Sequence, residues 1–107
     1  MPHVIRLLIA LIPLTLAACG ASPAPQFFGA VRHDVTLSGI RFAVFQTGGE
    51  AEVIRLGWLD RGQRDAVPAL MRQAVKQTTG CRIRGDLVTR LPGDTGEARA
   101  RLTCPQD

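Results

Sequence analysis

The chain contains no tyrosine, a single tryptophan and, beyond His3, a single histidine at position 33. Lys76 is its only lysine, so nearly all of the basic charge is carried by arginine. It has no Cys-x-x-Cys pair, no glycine-rich phosphate loop, no nucleophile motif and no pair of carboxylates at acid–base spacing. These gaps remove the usual equipment of hydrolases, nucleotide-binding enzymes and zinc sites. The expectation is a protein that is not an enzyme and uses no cofactor and no metal. A helix needs about 20 apolar residues to cross a bilayer, and no apolar run of that length occurs.

What is present is a short chain of 107 residues, enough for one small domain. Its formal charge is +4, from 13 basic and 9 acidic groups. A mild positive balance favours anionic partners, here acidic lipid headgroups; no nucleic acid is expected as a partner. A solvated basic surface without a specific ligand accounts for the same charge.

The apolar residues are concentrated first at the N-terminus. Arg6 and the amino group give a positive start, followed by Leu7-Leu8-Ile9-Ala10-Leu11-Ile12 and Pro13-Leu14-Thr15-Leu16. This length and polarity fit a secretory leader rather than an anchor. The run ends in Leu16-Ala17-Ala18-Cys19, which resembles the lipobox of bacterial lipoproteins at each of its positions. The resemblance implies a signal peptide over 1–18, cleavage between Ala18 and Cys19, and a diacylglyceryl thioether on the Cys19 thiol. Gly20, in place of an aspartate, implies passage to the outer membrane. The mature protein would then be a periplasm-facing component of the cell envelope, bound to the membrane through Cys19. Gly20-Ala21-Ser22-Pro23-Ala24-Pro25-Gln26 reads as a tether, so that 19–26 forms lipidated cysteine and linker and 27–107 a single domain. Seven extended residues reach about 20 Å, which keeps the domain close to the bilayer.

Within the domain, Val31, Val35 and Leu37 alternate with Arg32, Asp34 and Thr36, the pattern of a half-buried strand. His33 shares the valine face and, lacking a second ligand, reads as an ordinary strand residue. After the Ser38-Gly39 turn, Ile40, Phe42 and Val44 form one face of a second strand. Gln46–Glu50 reads as a hairpin loop, and Ile54, Leu56 and Trp58 form a face of the return strand. Two registers compete. A two-residue Gly48-Gly49 turn sets Val44 opposite Val53 and Phe42 opposite Arg55. A loop one residue longer sets Val44 opposite Ile54, Phe42 opposite Leu56 and Ile40 opposite Trp58. The longer loop keeps every inward residue apolar and is the expected register, with Trp58 in the core.

Val67, Leu70, Met71, Ala74, Val75 and Thr78 recur at helical spacing, with Asp65 as N-cap, Pro68 in the first turn and Gly80 as the stop. Cys81–Val88 and Glu97–Cys104 then flank a turn at Pro92-Gly93-Asp94. Placing Cys81 opposite Cys104 sets Ile83 against Leu102, Gly85 against Ala100 and Leu87 against Ala98, so cysteine and hydrophobic registers coincide. In an exported chain this pair reads as a disulfide, which contributes about 3 kcal/mol on a chain-entropy model. Gly80-Cys81-Arg82-Ile83 and Ala100-Arg101-Leu102-Thr103-Cys104 also resemble strings in small uncharacterised envelope lipoproteins of Gram-negative bacteria.

The expected fold is thus α+β: a small antiparallel sheet of about five strands, in the order βββαββ, packed on one helix and closed by one disulfide. The second face of the cysteine hairpin carries Arg82, Arg84, Arg99 and Arg101, with Arg84 opposite Arg101 and Asp86 opposite Arg99. These four arginines are the candidate anion-binding set, suited to bidentate contact with phosphate. The functional expectation is a non-catalytic envelope lipoprotein, structural or accessory to a membrane assembly, with an envelope protein as partner. The alternative is a small module that binds anionic lipid or glycan through the arginines.

Overall fold

The computed structural model describes residues 22–105. The leader, Leu16-Ala17-Ala18-Cys19 and the first tether residues lie outside that range. The elements are β1 (Val31–Leu37), β2 (Ile40–Thr47), β3 (Glu50–Leu56), α1 (Val67–Thr79), β4 (Arg82–Val88) and β5 (Glu97–Thr103). They form one antiparallel sheet in the spatial order β1-β2-β3-β5-β4, with α1 on one face and a disulfide joining Cys81 to Cys104. The expected α+β architecture and its element order are therefore observed.

The first three strands are a meander. Ser38 and Gly39 both take positive φ, as a two-residue hairpin twisted with its strands requires, and Leu37 pairs with Ile40. From β3 the chain crosses the sheet as α1, enters β4 at the far edge and returns as β5 between β4 and β3. β5 suits this central place because Ala98 and Ala100 present little bulk to the helix above them. Val67, Met71, Ala74 and Val75 of α1 pack onto Phe42, Val44, Val53 and Leu102. Gly80, at φ +71°, ends the helix in the left-handed conformation that a side chain resists, and its N–H reaches the Lys76 carbonyl. The N-terminal end differs from expectation. Arg64–Ala66 form a 3-10 turn that runs directly into α1, so Ala66 holds the N-cap position and Asp65 caps nothing.

The β2–β3 register is the shorter one: Val44 pairs with Val53, Phe42 with Arg55 and Thr47 with Glu50 across Gly48-Gly49. The expectation of the longer loop assumed a sheet with one buried face. Both faces of β2 are buried. Phe42 and Val44 face α1, while Ala43 and Phe45 face the other way, under the chain segment that precedes β1. Ile54 and Leu56 belong to that second cluster, and Ala51 and Val53 to the first. Arg55, opposite Phe42, sends its Nε to the Thr95 carbonyl at 2.9 Å and Nη1 to the Gly57 carbonyl at 2.6 Å. Trp58 is not in the core; beyond Gly57 (φ +82°) the chain leaves the sheet, and Trp58 is 99% exposed.

The segment read as tether is likewise partly structure. Pro25–Phe27 form a 3-10 turn, and Phe27, 1% exposed, plugs the second face beside Ala43 and Phe45. Linker character over 19–26 thus stops short of Ala24, which also packs there.

The two apolar clusters predict opposite outcomes for two aromatic residues. Phe27→Ala is expected to cost about 3–5 kcal/mol, and Trp58→Ala to change stability by no more than about 0.5 kcal/mol. Urea unfolding of both variants, followed by far-UV circular dichroism, measures the contrast.

Candidate functional site

The sheet face opposite α1 carries the arginines. In β5 the residues alternate strictly: Ala98, Ala100 and Leu102 turn to the helix, and Arg99, Arg101 and Thr103 turn outward. Arg82 pairs with Thr103 and Arg84 with Arg101, so these side chains share the outward face. All four candidate arginines are exposed and lie on one surface. Arg84 stands opposite Arg101 as expected, a like-charge pair that anion binding would relieve.

Beyond that pair the register expected for the hairpin fails. Val88, not Asp86, pairs with Arg99, and Gly85–Leu87 bulge out between the paired positions. Gly85–Ala100 and Leu87–Ala98 are therefore not strand partners. Gly85 takes φ +73°, a conformation glycine allows and other residues resist, which is what lets the strand buckle there. The bulge returns Val88 to the outward face and frees Asp86 to meet the helix. Arg72 of α1 donates from Nε and Nη2 to Asp86 Oδ1 at 3.1 and 2.7 Å, and the Leu87 N–H donates to the same oxygen at 2.8 Å. The Arg72 hydrogen bonds, reinforced by the Leu87 N–H and the guanidinium charge, hold the Asp86 carboxyl below its ordinary value.

Arg99 is not free. Its Nε lies 3.4 Å from Oε2 of Glu52, which is 1% exposed. The Ala24 N–H donates to both Glu52 oxygens, at 3.2 and 3.4 Å. A carboxylate removed from water is costly without such partners, so Glu52 fastens the segment before β1 to the sheet. Sequence reasoning missed this residue because Gln46–Glu50 reads as a loop and the return strand is recognised only by Ile54, Leu56 and Trp58, which leaves Glu52 without a role. The overlooked signal is the apolar outward set Ala43, Phe45, Ile54 and Leu56, which requires a cover over the same face.

Along the free border of that cover runs a cleft of about 480 Å³. Ser22–Pro25 form one wall, Val88–Arg90 the other, and Glu52, Glu97 and Arg99 line it. A smaller hollow of about 190 Å³ continues from it beside Phe27, Glu50 and Arg101. Acidic and basic groups thus alternate across the floor, while Arg82, Arg84 and Arg101 remain without ion-pair partners among the described residues. At the opposite edge, Arg32 pairs with Asp34 at 2.9 Å and lies over the Phe45 ring at 5.6 Å. His33, half-buried on β1, pairs with Val44 in the sheet. Among the described residues no three His, Cys, Asp or Glu side chains gather as metal ligands, and no helix is long and apolar enough to cross a membrane.

Comparison with protein-family models, with curated proteins and with solved structures finds no match for the chain. The class defined by the fold is a disulfide-closed α+β domain in which strands β2 and β3 are covered on both faces.

Two ion pairs generate tests of different kinds. Asp86, with its folded-state pKa depressed, contributes stability above the ordinary carboxylate range and loses it as pH falls through the folded value. Carboxyl NMR titration should place Asp86 below the ordinary aspartate value, and Arg72→Gln should move it upward. Arg99→Ala strands the Glu52 carboxylate and is expected to cost about 3 kcal/mol. Most of that loss should be recovered when Glu52→Gln is added, as read by denaturant unfolding of the single and double variants.

Proposed function

We propose that the protein is a non-catalytic envelope lipoprotein, anchored in the outer membrane through Cys19, facing the periplasm and accessory to a membrane assembly. The observation that carries the reading is the division of the three cysteines. Cys81 and Cys104 are joined, and the remaining one stands at the end of Leu16-Ala17-Ala18-Cys19. A structural disulfide suits a chain exported to an oxidising compartment. A thiol left outside that disulfide, behind an apolar leader and two small residues, supports lipid attachment over pairing.

The accessory role draws support from the sheet edges. β4 is bulged and arginine-rich, a form that discourages strand addition. β1 is paired without interruption along its full length to β2, contains no proline, and has no strand on its other edge among the described residues, with Phe28 and Val31 exposed beside it. A strand of a partner protein can add to such an edge.

Metabolic labelling with an alkyne-tagged palmitate tests the anchor. The wild-type protein should carry the label and sediment with outer membranes, and Cys19→Ser should lose the label and retain its leader, as read from intact mass. A wild-type protein that is soluble and unlabelled, or a labelled Cys19→Ser variant, overturns the proposal.

A further inference from the structure

We infer that the β4–β5 half of the outward sheet face is the surface laid against the bilayer, with Arg82, Arg84 and Arg101 taking the phosphates of anionic lipid headgroups. The inference rests on the proposed lipidation of Cys19 and adds to it the orientation of the domain and the lipid class it meets.

Three observations converge on it. The first is where the chain leaves the domain. Ala24 is pinned to the outward face through Glu52, and Ser22 and Pro23 lie across the cleft from Val88 and Arg90. The path to the anchor therefore starts beside the arginine-bearing strands. The second is length. Four residues lie between Cys19 and Ala24, and the five steps along the chain span at most about 18 Å even when fully extended. To seat α1 on the bilayer instead, that linker would have to round the sheet edge and pass a helix about 10 Å in diameter.

The third is chemistry. Arg82, Arg84 and Arg101 are exposed, share this face and have no ion-pair partner among the described residues. Two of the acids on the same face are engaged, Glu52 by Arg99 and Ala24 and Asp34 by Arg32. Glu50 stands opposite Arg101 in the register without an ion-pair contact, and Glu97 lies at the far end of β5. Val88, exposed on the wall of the same cleft, adds apolar contact at headgroup depth. Arg84 and Arg101, opposed across the strands, gain from a phosphate placed between them, which removes their mutual repulsion.

The test is arginine footprinting with a dicarbonyl reagent on the lipidated protein, read by peptide mass spectrometry. In vesicles of phosphatidylcholine with phosphatidylglycerol, Arg82, Arg84 and Arg101 should be modified more slowly than in detergent micelles. Arg61 and Arg64, exposed before α1, should react equally in both. An arginine near an anionic leaflet contributes about a fivefold factor to apposition, so Arg84→Gln with Arg101→Gln should lower the apposed-to-free ratio about 25-fold and expose Arg82 to the reagent. Protection should fade in vesicles of phosphatidylcholine alone and in high salt.

Equal reactivity of all five arginines in vesicles and micelles overturns the inference, as does protection of Arg61 and Arg64 instead. Protection that survives neutral lipid and high salt assigns the contact to apolar burial rather than phosphate, and protection found only in native membranes assigns the face to a protein partner; either result overturns it. Intact mass read on the same sample shows whether Cys19 carries lipid, so failure of the anchor is distinguished from failure of the orientation.

Discussion

The carboxylate of Glu52 holds together three parts of the chain that are distant in sequence. It sits in the middle of β3, faces away from the helix, and is satisfied by the Ala24 N–H on one side and the Arg99 guanidinium on the other. A buried charge is tolerated only where such partners are fixed, so each of them is constrained in turn. The segment before β1 must lie across the sheet, and β5 must pair with β3 so that Arg99 stands beside Glu52. Phe27 then closes over Ala43 and Phe45, and the second face of the central strands becomes an interior.

That second interior explains how so short a chain supports a sheet of five strands with one helix. A domain of this size buries a limited share of its surface and is marginal with one core alone. Here the central strands bury side chains on both faces, and the disulfide ties the end of α1 and the start of β4 to the end of β5. The Thr79 hydroxyl accepts the Cys81 N–H at 3.1 Å, and Cys81 itself is buried in the main core. The cross-link therefore closes the edge of the sheet where β4, with its bulge, contributes least regular pairing.

The proposed role follows from the asymmetry between the two sides of the sheet. The helix side is a packed core beneath an ordinary polar helix surface. The outward side combines the docked N-terminal segment, a cleft and the arginines of β4 and β5. Anchor and charge would thus leave the domain on the same side, which makes the linker an orienting element as well as a spacer.

Elements with a single covered face or a single period were legible in the residues alone. The helical spacing from Val67 to Thr78, the stop at Gly80, the alternation of β1 and the pairing of Cys81 with Cys104 each depend on local geometry that a sequence expresses directly. The four arginines of the candidate site were placed on one face for the same reason, because strand alternation is strictly twofold. Tertiary structure decided what depends on a second surface. The β2–β3 register turned on whether Ile54 and Leu56 or Ala51 and Val53 face the helix, and both sets are apolar. Trp58 was displaced by a backbone turn at Gly57, and Arg99 was claimed by a carboxylate whose burial arises only when residues 24–27 fold over it. The bulge at Gly85–Leu87 moved Asp86 from Arg99 to Arg72 of the helix. Periodicity reports which residues share a face. What covers that face is settled only when distant segments meet, because the cost of burying a group depends on the partners it finds there.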